Sequence, residues 1–304
     1  MAAKAACHLL CVRTTTGYNQ QVSPRRSRKD AGTYLFVREG GKRGDRPTAT
    51  PVPADDPVHA QLASDSLLMP FDALNAARLR YLRPRLRPEA LDPRLAFFLD
   101  PNADVADDYR EAVQRLLSAE GELRTVLVTS PRNGSGKTLT ALNLASAVAE
   151  QQRVTVVDLH FARPGVASAF GLKPEAGLVE LARRRRMDHR APLDLVLLAD
   201  RLAALPLLEP LDAEEAAAVA ETSEIGRLLD EVAFGADLLV ADGPPVLEDG
   251  GIDALWPLID AVVLVVRPSE LGSGAYERAL TALEGRTVLG TIVNGAPDPP
   301  RNTG

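Results

Sequence analysis

The stretch Leu123–Thr138, LRTVLVTSPRNGSGKT, decides how the rest of this 304-residue chain is read. Its first half, with Val126, Leu127, Val128 and Thr129, has the composition of a short strand. Its second half is a turn segment containing Gly134 and Gly136, and the apolar-periodic Leu139–Val148 follows as a helix. Where a helix begins, several backbone N–H groups are unpaired and the dipole is positive, so an anion can sit there if no side chain intervenes. Asn133, Gly134, Ser135 and Gly136 form that loop. Lys137 supplies a point charge for the outer phosphates of a nucleotide, and Thr138 supplies a hydroxyl for Mg²⁺. The strict phosphate-loop pattern has a glycine six places before the lysine; Pro131 stands there, so this is a variant loop. The competing reading is a glycine-rich turn before an ordinary helix.

A hydrophobic content of 45% is enough for a substantial core, and with 4% aromatics Leu, Val and Ala must fill it. No apolar run approaches the roughly 18–20 residues needed to cross a bilayer, so the chain reads as soluble. Met1–Val12 is apolar but short and lacks a small-residue cleavage site, and is not read as a secretory signal. Cys7 and Cys11 offer too few ligands for a metal and nothing to staple; free thiols in a reducing cytoplasm are expected. The net charge of −6 is unevenly spread: residues 1–53 carry ten basic and three acidic side chains, leaving −13 for the remainder. A basic arm can sample anionic lipid or nucleic acid, but its Gly, Pro, Ser and Thr content favours a solvated tail. A translation start at Met69 would omit it.

Residues 1–66 lack periodicity and are expected to be a disordered basic arm, followed by a proline-rich connector over 67–103 that contains a short helix, Phe71–Leu82. From Asp104 the apolar residues Val105, Tyr109, Val113, Leu116 and Leu117 mark one helix face. Beyond the loop, strands are expected at 154–159, 193–198, 238–242, 261–267 and 288–293, separated by helices at 178–186, 213–234 and 270–283. Apolar strands alternating with helices make a parallel sheet covered on both faces. The expected fold is α/β, a doubly wound, mostly parallel sheet over 104–297, with a short flexible tail at 298–304. In such sheets ligands bind beyond the carboxyl ends of the strands, where Asp158, Asp242, Arg267 and Asn294 fall. Two aspartates closing apolar strands are costly to bury without a cation, and hydrated Mg²⁺ is the obvious one; a capping role is the alternative for each.

DPNADVADDYREAVQRLL, TSPRNGSGKT, VVDLHFARPGVASAFGL, LLVADGPPVLEDGGIDAL, VVLVVRP and LGTIVNG, in that order over about 92–296, resemble the cytoplasmic ATPase domain of bacterial tyrosine kinases. That family accompanies capsule and exopolysaccharide export and is grouped with the Min and Par partition ATPases as P-loop proteins with a deviant Walker A motif. The resemblance implies ATP and Mg²⁺ as cofactors, with Lys137 on the phosphates and Thr138 on the metal. It implies Asp242 as the Walker B carboxylate acting through metal or its water, Asp158 as the residue that polarises the attacking hydroxyl or water and also belongs to the metal site with Thr138 and Asp242, and Asn294 at the adenine edge. It further implies a membrane-bound polysaccharide chain-length regulator (co-polymerase) as partner, a homo-oligomer, no nucleic acid, and a cytoplasmic location at the inner face of the membrane through that partner.

The departures from the family pattern concern catalysis and assembly. The second Walker motif, Asp-any-Asp-any-Arg in the family, reads Asp158-Leu159-His160-Phe161-Ala162 here, with Arg163 and Pro164 following. The oligomerisation helix keeps Asp107 and Arg110 but has Val113 at its last basic position. The tyrosine-rich tail is replaced by PDPPRNTG, and the last tyrosine is Tyr276, inside an expected helix. The expected function is an ATP-binding, tyrosine-kinase-like regulator of exopolysaccharide assembly, weak or inactive as a kinase. The alternative is a partition-type ATPase switch, for which Arg132 stands where those ATPases carry a signature lysine. Arg183–Arg186 reads either as the solvated end of a helix or as a face for anionic lipid or polymer.

Overall fold

A computed structural model describes residues 9–12, 34–35, 79–117, 123–221, 223–248 and 253–295. In chain order its strands are β1 (Leu9–Val12), β2 (Tyr34–Leu35), β3 (Leu79–Leu82), β4 (Thr125–Thr129), β5 (Val154–Asp158), β6 (Leu193–Ala199), β7 (Leu202–Leu205), β8 (Leu238–Asp242), β9 (Ala261–Val266) and β10 (Val288–Asn294). The helices are α1 (Ala96–Leu99), α2 (Asp104–Leu117), α3 (Lys137–Ala149), α4 (Val166–Ala169), α5 (Leu178–Met187), α6 (Ala213–Ala220), α7 (Ser223–Gly235) and α8 (Gly274–Ala282). All strands lie in one sheet, ordered β2-β1-β10-β9-β4-β8-β5-β7-β6-β3. Every pairing is parallel except that of β6 with β7.

The central strands are apolar on both faces, and their alternation divides the interior into two cores. Val126 and Val128 of β4, Val156 of β5, and Val263 and Val265 of β9 face one core, covered by α2 and α3 through Tyr109, Ala141, Leu142 and Val148. Leu127, Val157, Val262 and Leu264 face the other, covered by α5 and α7 through Leu178, Leu181, Ile225, Leu228 and Val232. A period of two along each strand with helices on either side is the doubly wound, mostly parallel arrangement expected from the sequence.

The differences lie at the sheet's β3 edge and in one hairpin. Leu79–Leu82, expected as the end of a helix, is strand β3: Leu79 and Tyr81 are half-buried while Arg80 and Leu82 face solvent. Arg80 lies opposite Asp194 in the register with β6 and donates to both carboxylate oxygens, at 2.6 and 2.7 Å. Such a cross-strand ion pair supports a strand and gives nothing to a helix. β7 was not expected, because the two-residue turn Asp200-Arg201 joining it to β6 carries no glycine or asparagine to announce a hairpin. Within the expected connector, Leu95 and Ala96 are buried against the α3 side of the sheet. Of the expected disordered arm, Leu9–Val12 pairs with β10 and Tyr34–Leu35 pairs with β1; the remaining residues of 1–66, and the tail 298–304, lie outside the described residues.

Candidate phosphate site at the strand ends

The loop between β4 and α3 is set by its glycines. Gly134 and Gly136 adopt φ of 91° and 90°, in the left-handed region that L-residues with side chains avoid. A Cβ on Gly136 would stand 2.0 Å from Asn294 Nδ2, and that nitrogen donates to the Ser135 carbonyl at 2.9 Å. Asn294, at the end of β10, therefore holds the loop from its far side.

Lys137 opens α3 with only 4% of its surface exposed. Burial lowers its pKa, opposed by the charges of Asp242, Glu248 and Glu270. Thr138 donates its hydroxyl to Asp242 Oδ2 at 2.6 Å. Asp242 is wholly buried at the end of β8, and its Oδ1 has no hydrogen-bond partner among the described residues. Its pKa is raised by burial and by the neighbouring charge of Asp158, its register partner on β5. An acceptor without a donor, buried between a lysine and a threonine hydroxyl, is an arrangement that a divalent cation or its water would complete. The residues present thus fit Mg²⁺, with Thr138 and Asp242 as the groups that would hold it.

Asp158, equally buried, has a different set of partners. Its Oδ2 accepts the backbone N–H groups of Gly165 (2.8 Å) and Val166 (3.0 Å), and its Oδ1 that of His160 (3.2 Å). Asp158 therefore closes the loop 159–165, which brings Gly165 so near Thr138 that a Cβ there would lie 2.8 Å from Thr138 Cγ2. Burial raises its pKa against these three hydrogen bonds. His160 is 5% exposed, and burial together with Lys137 and Arg163 pushes its pKa down to about 4, so it is neutral at physiological pH.

Two glutamates at the loop were not singled out from the sequence. Glu270 Oε2 accepts the Ser135 hydroxyl (2.9 Å) and the Arg267 backbone N–H (2.7 Å). Glu248 accepts the backbone N–H of Asn133 at 3.3 Å and also its side-chain amide. Both lie a few residues beyond the carboxyl ends of β9 and β8, and that offset is the one sequence signal that could have found them. Of the residues expected in the site, Asn133 through Thr138, Asp158, Asp242 and Asn294 all gather at the same end of the sheet. Arg110 of α2 is engaged within the chain by Glu150 and Asp107 and lies over the Phe97 ring.

A strand, a glycine-conformed loop and a lysine-led helix, with carboxylates closing the adjoining strands, define a P-loop ATPase fold. Among such proteins the chain resembles bacterial tyrosine kinases. It is 28% identical over 182 residues to the tyrosine-protein kinase YwqD of Bacillus subtilis (strain 168), spanning 59% of this chain and 75% of that protein. Its fold matches the chimerical protein CapA2B2 at a TM-score of 0.61 and 18% identity, over 80% of this chain and 99% of the other. It also matches the kinase domain of the Escherichia coli tyrosine kinase ETK at a TM-score of 0.55 and 19% identity, over 83% and 97%. No protein-family model matches the chain. No helix of the described residues is long and apolar enough to cross a membrane.

Proposed function

We propose that this chain is an ATP-binding, tyrosine-kinase-like regulator of exopolysaccharide or capsule assembly, working with a membrane-bound chain-length regulator at the inner face of the membrane. The observation that carries the nucleotide reading is the unpartnered, buried Oδ1 of Asp242 beside Thr138 and Lys137 at the mouth of the loop. In this reading the loop amides and Lys137 orient and neutralise the phosphates, while Thr138 and Asp242 hold Mg²⁺. Bound Mg²⁺ supplies charge neutralisation on the phosphate oxygens. Asp158, at the end of β5, is the acceptor the resemblance assigns to the proton of an incoming hydroxyl, yet three backbone N–H groups already engage it. His160 and Ala162 stand where the family has a carboxylate and an arginine, and a neutral, buried His160 restores neither charge. Slow transfer is the expected consequence.

Incubation of the purified chain with labelled ATP and Mg²⁺, alone and with a membrane partner encoded beside it, tests the proposal. Label on protein tyrosine supports the kinase, whereas rapid release of free phosphate without protein labelling supports the partition-type switch. ATP that gives no thermal shift, with Lys137→Ala indistinguishable from the parent, overturns nucleotide binding itself.

A further inference from the structure

We propose that the ends of α5 and α7 form a surface that docks on anionic lipid. The last turn of α5 carries Arg183, Arg184 and Arg186, all exposed and without an ion pair among the described residues, and Arg190 follows in the next turn of chain, also exposed. The fourth member of the run behaves differently. Arg185 is 6% exposed and turned inward, donating to the His189 carbonyl and to Glu231 of α7. The same contact fixes the turn from Asp188 to Ala191, in which Asp188 spends its carboxylate on the Arg190 backbone N–H. Asp188 keeps its negative charge and Asp230 of α7 is exposed as well, but the four exposed arginines outnumber these two carboxylates on a chain whose net charge is −6.

Cations at a helix C-terminus are favoured by the dipole, which accounts for the arginines but not for their neighbours. Met187, two residues beyond Arg185, is 91% exposed, and Phe234, three residues beyond Glu231, is 81% exposed. No other large apolar side chain among the described residues stands so far into water. The Arg185–Glu231 pair joins the two helices that carry Met187 and Phe234.

Exposed arginines beside a protruding methionine on α5, with a protruding phenylalanine on α7, match an anionic bilayer surface, where headgroups meet the charges and the acyl boundary receives the apolar side chains. A soluble polyanion offers nothing to Met187 and Phe234. Two apolar side chains also fall far short of the roughly 800 Å² per partner that a stable protein interface buries. Lipid docking here is independent of the nucleotide reading, since none of these residues touches the phosphate loop.

Flotation of the full chain with vesicles of phosphatidylcholine alone, or of phosphatidylcholine with phosphatidylglycerol, tests the surface. Binding is expected only with the anionic vesicles and is expected to fall as salt rises. The triple variant Arg183→Gln/Arg184→Gln/Arg186→Gln is expected to weaken it about a hundredfold. Met187→Ser/Phe234→Ser is expected to weaken it about tenfold and leave the salt dependence unchanged. Equal flotation with neutral vesicles, a triple variant that binds like the parent, or retention by a soluble anionic polysaccharide without flotation would each overturn the proposal. Melting curves with and without MgATP, unchanged in both variants, keep a folding or nucleotide defect apart from a lost surface.

Discussion

At the scale of single residues, the site stores unfavourable electrostatics for a cation to relieve. Asp242 and Asp158 are buried side by side, and their pKa values are raised in the folded chain, by burial first and for Asp242 also by the second charge. A carboxyl group whose folded pKa exceeds its unfolded value contributes stability that is complete below the unfolded value, about 4, and is lost as pH rises through the raised value. Without Mg²⁺ and nucleotide, the melting temperature is therefore expected to fall as pH rises from about 4 toward alkaline values. Asp242→Asn should flatten that slope and stabilise the apo chain at neutral pH by about 1–3 kcal/mol, while abolishing Mg²⁺-dependent nucleotide binding. A melting series over pH, with and without MgATP, reads both effects; an unchanged slope in the variant would count against the carboxylate pair. Gly136 gives a steric counterpart. Gly136→Ala meets Asn294 at 2.0 Å and also forces a side-chain residue to φ 90°. About 1–3 kcal/mol of stability should be lost with nucleotide binding. Adding Asn294→Ala should restore only the part due to the clash, which a double-mutant cycle in chemical denaturation measures.

At the scale of elements, Asn143 shows how the segment before α2 becomes part of the site's support. It is 3% exposed on α3, accepts the Ala96 backbone N–H at 2.9 Å, and donates to the carbonyls of Arg94 (2.9 Å) and Leu139 (3.0 Å). It fastens α1 to the helix that carries Lys137. Asn143→Ala leaves the Ala96 N–H and the Arg94 carbonyl without that partner and is expected to cost about 2–3 kcal/mol in denaturant unfolding. Asn143→Asp can still accept from Ala96 but sets a buried carboxylate oxygen against the Arg94 and Leu139 carbonyls, and should lose at least as much. This tie was not legible in the sequence, because an asparagine in the middle of a helix carries no sign of what it reaches across space. The loop, Asp242 and the two-sided apolar strands were legible, since each declares itself within a dozen consecutive residues. The loop-closing bonds of Asp158, and the glutamates Glu248 and Glu270, depend on how separate loops meet. β3 was misread because Leu79, Tyr81 and Leu82 within a mixed sequence satisfy a helical and an alternating pattern alike.

At the scale of the molecule, the described interior belongs to the part of the chain from Leu79 onward. Every residue of both cores falls there, and the strands that carry the site, β4, β5, β8 and β9, are flanked on both sides by others from the same part. The described contribution of the first 78 residues is four register pairs of β1 with β10, from Leu9↔Thr291 to Val12↔Asn294, and two of β2 with β1. The last of these pairs touches the site through the backbone of Asn294, whose side chain points back to the Ser135 carbonyl from within the loop contact. Edge pairing of this length adds hydrogen bonds at the rim without supplying the buried apolar area that dominates stability. A chain beginning at Leu79 is therefore expected to unfold in one cooperative step at a somewhat lower temperature than the whole protein. Its affinity for MgATP is expected to fall by no more than a few fold, because removing β1 takes away backbone pairing at Asn294 but leaves the Asn294 side chain on the Ser135 carbonyl. Calorimetry and nucleotide titration of the two lengths check this. A truncated chain that melts without cooperativity, or loses nucleotide binding, would show that β1 completes the sheet instead of bordering it.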